Sequence, residues 1–172
     1  MAKALILVDY QEEWRDRRSD YYIGSLGKVA EAAKKILDKA RAKRIKVIFT
    51  QHIEPSPTTA FKRDSKNAGI IKELEPLWNE KVIVKNVVSP FYGTGLDSYL
   101  KDNNVDEIIV AGIMTNLCVR STVSDAYDRG MAITIVKDAC ASDSRRTDEF
   151  TFRDLSRTRP EIKIVTVKEL RL

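Results

Sequence analysis

The sequence predicts one α/β domain, spanning residues 1–172, in which six parallel strands form a sheet with helices on both faces. Short apolar runs of strand length alternate with segments of helical periodicity, the pattern typical of parallel α/β folds. The first apolar run is continuous, as expected for a strand buried on both faces. A chain of 172 residues has the size of a single domain, and it contains no internal repeat or linker-like segment.

The first half of the chain contains three predicted strands and one long helix. Continuous apolar residues predict strands over 4–8, 45–50 and 82–84. Apolar residues that recur every three or four positions over 26–40 predict a helix with one buried face. The polar, proline-containing segment 52–66 is predicted to be a surface loop.

The second half repeats the alternation of strand and helix. Strands are predicted over 107–112, 131–136 and 162–167, and a helix over 116–129 that ends at Gly130. The tetrapeptide 94–97 has the form of a capping box, so a helix is expected to begin there and to direct Leu96, Tyr99 and Leu100 inward. The polar segment 142–158 is predicted to contain one more helix.

Composition excludes several classes of protein. The hydrophobic fraction of 43% and the charged fraction of 32% are typical of a globular domain. Acidic residues are interleaved with the basic ones, and the net charge is only +5, so nucleic acid is not an expected partner. No apolar run approaches the roughly 20 residues of a membrane span, so a membrane is not expected either. Two cysteines and the absence of a signal-peptide pattern favour the cytoplasm.

Reactive side chains follow three of the predicted strands. Asp9 comes directly after the first strand, Lys85 after the third, and Cys118 a few residues after the fourth. Each residue alone is compatible with a structural role. Because ligands of open parallel sheets bind at the carboxyl ends of the strands, however, the three side chains would offer a carboxylate, an ammonium and a thiol to one edge.

The position of Cys118 favours a reactive thiol. Residues 112–118 are predicted to leave a strand, turn and begin a helix, with Thr115 or Asn116 as the N-cap. The positive end of a helix dipole favours a thiolate, and a nearby Lys85 ammonium would favour it further. We therefore expect a pKa below the ordinary value of about 8.5 for this thiol. Backbone N–H groups of the same turn would be available to bind an oxyanion.

Four segments together resemble the motifs of one family. Asp9-Tyr10-Gln11 is similar to an Asp-x-Gln motif, and residues 85–96 are similar to a Lys-x-x-x-Ser-x-Phe-x-x-Thr-x-Leu segment. Residues 112–122 are similar to a Gly-[small/aliphatic]-x-Thr-x-x-Cys-Val-x-x-Thr block, and residues 138–142 to Asp-Ala-x-x-Ser. In this order the motifs resemble those of the isochorismatase-like cysteine hydrolases, relatives of nicotinamidase and N-carbamoylsarcosine amidohydrolase, over nearly the whole chain.

The resemblance implies a fold, a catalytic triad and a reaction. The fold is a Rossmann-like three-layer sandwich with strand order 3-2-1-4-5-6. Asp9, Lys85 and Cys118 take the triad positions, and the peptide bond between Ile113 and Met114 is expected to be cis. The N–H groups of Met114 and Cys118 would form the oxyanion hole. The implied reaction is hydrolysis of an amide or ureido-type C–N bond of a small molecule through a thioester, without a cofactor, in a homodimer or homotetramer.

The same comparison of motifs leads to expectations about the pocket and about metal. Nicotinamidases of this family carry an Asp-x-His metal motif after the second strand, where this chain has His52 and Glu54 and no second histidine. We therefore expect no metal, with a weakly bound ion at His52 and Glu54 as the alternative. Residues near the strand ends are expected to line the substrate pocket: Tyr10, Gln11, Trp14, His52, Phe91, Tyr92, Met114 and Leu117.

Other functions remain open at this level. Within the family, the alternatives are a nicotinamidase-type deamidase that lacks the usual metal ligands and an isochorismatase-type enol-ether hydrolase. Enol-ether cleavage depends more on an acid than on a nucleophile, so the complete triad disfavours it. Outside hydrolases, a flavodoxin-like binding or redox-sensing protein would use Cys118, with Cys140 as a second thiol, without hydrolytic chemistry.

Overall fold

Six parallel strands form a single sheet in the computed structural model, which describes residues 2–55 and 60–172. Their order is β3-β2-β1-β4-β5-β6, as the sequence analysis predicted. The strands are β1 (Ala2–Val8), β2 (Lys46–His52), β3 (Lys81–Lys85), β4 (Val105–Gly112), β5 (Ala132–Val136) and β6 (Lys163–Val165).

Four α-helices connect the strands: α1 (Gly27–Ala42), α2 (Leu96–Asp102), α3 (Arg120–Asp128) and α4 (Arg145–Thr158). Along the chain, the sheet first grows outward from β1 to β3 and then, from β4, in the opposite direction. Because crossovers between parallel strands are right-handed, this reversal places α1 on one face and α3 and α4 on the other. The reversal lies between β1 and β4, which is where open α/β sheets bind their ligands.

The central strand β1 explains why the sheet is apolar on both faces. It pairs with β2 on one side and β4 on the other, and its last five residues are buried. The buried face of α1 consists of Ala30, Ala33, Ile36, Leu37 and Ala40, the stripe that the periodicity predicted. Burial of a complete Ile or Leu side chain contributes about 1.5–3 kcal/mol, so this helix is held mainly by its packing against the sheet.

Register aligns the carboxyl ends of the strands. Val8 lies beside Thr50 of β2 and Gly112 of β4, and Lys85 at the end of β3 lies beside His52. At Gly112 the backbones approach so closely that an added Cβ would lie 2.3 Å from the Val8 carbonyl oxygen. This contact allows the chain segments that leave β1 and β4 to begin side by side.

The largest departure from the predicted elements concerns the helix expected over 116–129. The segment begins as a π-helical turn, Thr115–Val119, and becomes the α-helix α3 only at Arg120. Neither Thr115 nor Asn116 caps it, because Met114 occupies the cap position and no side chain accepts a bond there. The expected N-cap is therefore wrong.

Smaller departures concern element ends and loops. The capping box at 94–97 does not form: Gly95 is the N-cap of α2, and the Thr94 hydroxyl accepts a bond from the Leu96 N–H at 3.1 Å instead. Strand β6 is three residues long, shorter than the predicted 162–167. Short 3₁₀ segments that the periodicity did not reveal occur at Glu12–Arg15, Lys72–Leu74 and Lys137–Ala139. Residues 56–59 of the predicted loop lie outside the described residues.

Within residues 2–55 and 60–172, no helix is both long enough and apolar enough to cross a membrane.

Candidate active site

Asp9 is fixed at the carboxyl end of the central strand. Its backbone has a φ of +51°, a left-handed conformation that Asp tolerates better than most residues. Thr50 on β2 holds both ends of the residue: its hydroxyl accepts from the Asp9 N–H at 3.1 Å and donates to Oδ1 at 2.5 Å. The Trp14 indole Nε1–H donates to the Asp9 carbonyl at 2.7 Å. The buried carboxylate therefore has a defined direction.

Lys85 is the last residue of β3, and its ammonium meets the Asp9 carboxylate. Nζ lies 2.6 Å from Asp9 Oδ2, and neither side chain has any exposed surface. A buried charge is costly unless an opposite charge lies next to it, and this ion pair places the two opposite charges together. The carbonyl of Val87 accepts a hydrogen bond from Nζ at 3.1 Å.

Cys118 completes the cluster from the π-helical turn after β4. Its sulfur lies 3.5 Å from Lys85 Nζ, and the residue is 7% exposed. Burial, and then the negative charge of Asp9, raise the pKa of the thiol to about 12, although Lys85 acts in the opposite direction. The expected low pKa is therefore wrong for this state, because loss of hydration outweighs the ammonium and the turn dipole. The resting sulfur is a thiol that faces a carboxylate.

The turn before Cys118 offers an unused backbone donor. The peptide bond between Ile113 and Met114 is cis, as predicted. The N–H of Thr115 donates to the Ala141 carbonyl at 2.9 Å, and that of Val119 donates to the Met114 carbonyl at 3.1 Å. In the described part of the chain, the N–H of Met114 has no acceptor. This donor, on the residue directly before the π-helical turn that carries Cys118, is thus free for a ligand.

His52 links the cluster of Asp9, Lys85 and Cys118 to a carboxylate outside it. Its Nε2 lies 2.8 Å from Glu54 Oε1, and its Nδ1 lies 3.4 Å from Lys85 Nζ. The ring packs edge-on against Phe61, with 5.4 Å between centroids. Both ring nitrogens are therefore engaged by neighbouring side chains. Within the described ranges, no group of three or more His, Cys, Asp or Glu residues is arranged to hold a metal ion.

Gln11 has a structural position where a substrate contact was expected. The side chain is completely buried, and its amide exchanges two hydrogen bonds of 2.8 Å with the backbone of His52. A third bond, of 2.7 Å, goes to the Ala68 carbonyl. These bonds occupy the donors and acceptor of the amide, so Gln11 fixes the end of β2 and thereby the His52 ring.

A cleft of about 600 Å³ opens beside the cluster of Asp9, Lys85 and Cys118, at the carboxyl ends of β2 and β3. Of these three residues, only Lys85 is part of the cleft lining. Tyr92 lies in the wall, as predicted, and Glu54 lies there too. The complete lining consists of Ile53, Glu54, Pro55, Lys62, Arg63, Val84, Lys85, Asn86, Tyr92, Gly93 and Thr94. A cleft of this volume accommodates a small organic molecule.

Three aromatic residues expected in the pocket are buried elsewhere. The Trp14 ring packs edge-on against Phe61 at 4.9 Å, and the Tyr10 hydroxyl donates to the Ala139 carbonyl. Phe91 is 5% exposed, and the Arg129 guanidinium covers its ring at 4.5 Å. Their positions correct the expectation, because large rings gain more from burial in the core than from exposure in an open cleft. Leu117 is half exposed and is not part of the cleft lining.

Sequence reasoning missed the residue that orients the carboxylate. Thr50 ends the apolar run of β2 and is completely buried. A hydroxyl at the buried end of a strand, one strand away from Asp9, was the available signal, because such a group must find a partner. The Val87 carbonyl that holds Lys85 left no signal, since any residue at this position supplies the same backbone atom.

Known proteins resemble this chain over almost its full length. The model of the isochorismatase domain matches residues 3–167. An uncharacterized isochorismatase family protein, YrdC from Bacillus subtilis (strain 168), is 31% identical over 152 residues, which is 88% of this chain and 80% of that protein. N-carbamoylsarcosine amidase from Arthrobacter sp is 28% identical over 152 residues, covering 78% of this chain and 58% of the amidase.

Among solved structures, an isochorismatase-like hydrolase from Alkaliphilus metalliredigens is similar in fold and sequence. It has a TM-score of 0.88 and 26% identity, with 98% of this chain and 93% of that chain covered. The similarity extends over all six strands, since the aligned part leaves almost none of this chain outside.

Proposed function

The chain belongs to the isochorismatase family of hydrolases, and on that basis we propose that it is a cysteine hydrolase that cleaves a C–N bond of a small molecule. The bond would be an amide or ureido-type bond. Asp9 would act as the base and acid, Lys85 as the electrostatic partner, and Cys118 as the nucleophile.

One observation carries this proposal: a carboxylate, an ammonium and a thiol meet in one buried cluster. Lys85 Nζ lies 2.6 Å from Asp9 Oδ2 and 3.5 Å from the Cys118 sulfur. The three residues come from segments far apart in the sequence, and a fold has no structural need to bury a lysine beside a cysteine. A thiol next to a carboxylate is the arrangement that nucleophilic catalysis requires.

The high pKa of the thiol determines how the first step proceeds. Because burial and Asp9 keep the sulfur protonated, a free thiolate is not the resting species. The proton therefore passes to Asp9 as the sulfur attacks the carbonyl carbon of the substrate, and Lys85 stabilises the negative charge during this transfer. The C–N bond then breaks, Asp9 returns the proton to the leaving nitrogen, and an acyl-thioester remains on Cys118.

Hydrolysis of the thioester uses the same carboxylate. Asp9 takes a proton from water, the oxygen attacks the thioester carbonyl, and the C–S bond breaks. The departing sulfur recovers its proton from Asp9, which regenerates the starting state. In both steps the N–H groups of Met114 and Cys118 would hold the oxyanion, and removal of one such donor costs about 3–4 kcal/mol in other enzymes.

A C–N bond is favoured over an enol ether for two reasons. N-carbamoylsarcosine amidase is a relative of 28% identity, and the cluster holds a thiol beside the Lys85 ammonium, a nucleophile for which enol-ether cleavage has less need. Metal-dependent nicotinamidase chemistry fits the residues poorly. The only histidine of the chain, His52, has both ring nitrogens engaged. We expect that dialysis against a strong chelator leaves the rate of hydrolysis unchanged, and a loss restored by added Zn²⁺ would contradict this.

The substrate is proposed to be a small molecule that enters through the 600 Å³ cleft. A homodimer or homotetramer, and a location in the cytoplasm, remain predictions from the sequence.

The decisive experiment compares the two cysteines of the chain. The purified protein is screened for ammonia release from small amides and ureido compounds, and the active substrate is then mixed with the enzyme and quenched in acid. We expect intact mass spectrometry to show an acyl adduct that peptide mapping places on Cys118.

Two variants complete this experiment. Cys118→Ala is expected to lose activity by a factor on the order of 10³ or more and to form no adduct. Cys140→Ser removes the other buried thiol. This variant is expected to keep its activity and to form the acyl adduct, which makes it the matched control. Wild-type turnover by Cys118→Ala would contradict the proposed function.

A further inference from the structure

Two cations on the wall of the cleft have no partner. Lys62 and Arg63 both line the cleft, and both residues are exposed. Within residues 2–55 and 60–172, neither side chain forms an ion pair or a hydrogen bond. Residues 56–59 have the sequence Ser-Pro-Thr-Thr, which contains no acidic side chain and so supplies no counter-charge. Both cations are therefore available to a ligand in the cleft.

The other charged groups of the lining leave an excess of positive charge. Lys85 lies 2.6 Å from the Asp9 carboxylate, so its charge is balanced within the buried cluster. Among the described residues that line the cleft, Glu54 is the only acidic one, and it can balance one of the two free cations but not both. Asp64, the next residue along the chain, is not part of the lining. The cleft therefore attracts anions.

The backbone that carries the two cations is anchored on the protein. Phe61 directly precedes them and is only 2% exposed. Its N–H donates to Glu13 Oε2 at 3.1 Å, and its carbonyl accepts from the Glu54 N–H at 3.1 Å. The two cations thus extend from a fixed segment of chain, which lowers the entropy cost of binding a ligand between them.

We propose that Lys62 and Arg63 form an anion subsite, and that the substrate carries a carboxylate in addition to the C–N bond that is cleaved. A guanidinium binds a carboxylate through two parallel hydrogen bonds, and an ammonium adds a point charge. Lys85 belongs both to the cleft lining and to the cluster with Cys118. A molecule whose carboxylate is held at the subsite therefore has its other end available to the cluster.

The excess of charge selects the kind of anion. A phosphate monoester carries about 1.5 to 2 negative charges at neutral pH, whereas a carboxylate carries one. Because Glu54 offsets part of the positive charge, a single carboxylate matches the cleft better. The substrate class is thus an amide or ureido compound with one carboxylate. This inference rests on the proposed function, since it assigns the cleaved bond to Cys118.

The test uses two reagents that differ by one charge. Iodoacetate and iodoacetamide each form an S–C bond with a cysteine and release iodide, but only iodoacetate is an anion. Both are applied to Lys62→Gln/Arg63→Gln in a Cys140→Ser background, where Cys118 is the only cysteine. We expect this double variant to react roughly three to ten times more slowly than the parent with iodoacetate, and within a factor of about two of it with iodoacetamide.

A matched control removes the same charge elsewhere. Lys34→Gln/Lys35→Gln lies on the exposed surface of α1, outside the cleft, and is expected to leave both rates unchanged. Equal slowing of the iodoacetate reaction in the two double variants would overturn the proposal, because the net charge of the protein would then be the cause. No slowing in Lys62→Gln/Arg63→Gln would overturn it as well.

A pair of substrates tests the same subsite during hydrolysis. The screen for ammonia release compares each amide that bears a carboxylate with its methyl ester, beginning with succinamate. We expect kcat/KM to be roughly three to ten times higher for the acid than for the ester, and Lys62→Gln/Arg63→Gln to lose this preference through a higher KM for the acid. An ester that is hydrolysed as fast as its acid would contradict the subsite.

Failure of this inference and failure of the proposed function give different results. If an amide acylates Cys118 but Lys62→Gln/Arg63→Gln keeps the parent's rate with iodoacetate, only the anion subsite is refuted. If the double variant slows the iodoacetate reaction alone but no amide acylates Cys118, the cleft binds anions and the proposed hydrolysis fails.

Discussion

Asp9 Oδ2 and Lys85 Nζ lie 2.6 Å apart, and the side chains that carry them are completely shielded from solvent. Asp9 directly follows β1 and Lys85 is the last residue of β3, and these two strands are separated in the sheet by β2. The ion pair therefore crosses over the end of an intervening strand and joins the centre of the sheet to its edge. It contributes to the fold as well as to the proposed chemistry.

Removal of one partner is expected to cost more stability than removal of both. Lys85→Met leaves the Asp9 carboxylate buried without its counter-charge, and such variants lose about 3–5 kcal/mol. The double variant Asp9→Asn/Lys85→Met leaves no charge behind and should recover part of this loss. Urea unfolding at pH 7 gives the free energy of unfolding of the wild-type protein, Lys85→Met and the double variant. Equal losses in the single and double variants would contradict the stabilising interaction between Asp9 and Lys85.

The indole of Trp14 is expected to stabilise the protein through both a hydrogen bond and its packing. Trp14→Phe removes the donor to the Asp9 carbonyl and leaves a smaller ring against Phe61, so we expect a loss of more than about 1 kcal/mol in the free energy of unfolding. The rate of hydrolysis should fall as well, because the bond fixes the left-handed residue that carries the base. The matched control is Trp78→Phe, a 97% exposed position where a change within about 0.5 kcal/mol is expected.

Gly112 is expected to tolerate no side chain. A Cβ at this position would lie 2.3 Å from the Val8 carbonyl oxygen and 2.5 Å from the Val8 Cβ, so β1 and β4 would have to separate. We expect Gly112→Ala to lose more than about 3 kcal/mol or to be insoluble when expressed. Gly95→Ala is the control, because an added Cβ there meets no atom within 4 Å. A stable, active Gly112→Ala protein would contradict the register between the two strands.

Stability is expected to fall at alkaline pH because two thiols are buried. Burial raises the pKa of both Cys118 and Cys140 to about 12, well above the ordinary value of a thiol. Above pH 9 the unfolded chain releases these protons while the folded chain keeps them. The free energy of unfolding therefore decreases as pH rises, by up to about 1.4 kcal/mol per unit for each thiol.

The contribution of one thiol can be isolated by substitution. Cys140→Ser should lose less stability than the wild-type protein between pH 9 and pH 10, as measured by chemical denaturation. Burial also raises the pKa of Tyr10, but this residue adds the same loss to both proteins, so the difference between their slopes reports Cys140. An identical slope in both proteins would show that Cys140 titrates normally in the folded state.

Most of the fold could be predicted because strands and helices differ in their apolar period. Continuous runs such as residues 4–8 and a stripe such as that of α1 leave no other assignment. The π-helical turn at Thr115–Val119 could not be predicted in this way. Its hydrogen bonds span five residues where those of an α-helix span four, and within a single turn this difference leaves the pattern of apolar residues unchanged. Helix starts also shifted, as at Gly95, where a nearby hydroxyl accepted a different N–H from the one expected.

That Asp9, Lys85 and Cys118 lie together could be predicted from topology and motifs, but the cleft lining could not. Asp9 and Lys85 stand directly at strand ends, where the direction of the chain fixes their location. Phe91 and Trp14 lie in irregular segments, where the competition between core packing and ligand contact decides the position of a ring. The spacing of apolar residues in the sequence does not predict which of these two positions a ring takes. The pKa of Cys118 was missed for a related reason, because the position of a residue in a turn does not reveal how much water reaches its sulfur.

Strand β3 is five residues long and pairs with β2 alone. Proteins open locally before they unfold as a whole, and an edge strand of a sheet is one of the segments that can open in this way. Departure of this one strand would withdraw the ammonium while the remaining five strands stayed assembled. We therefore expect heat to abolish activity through this local event, at a temperature below that at which the whole protein melts.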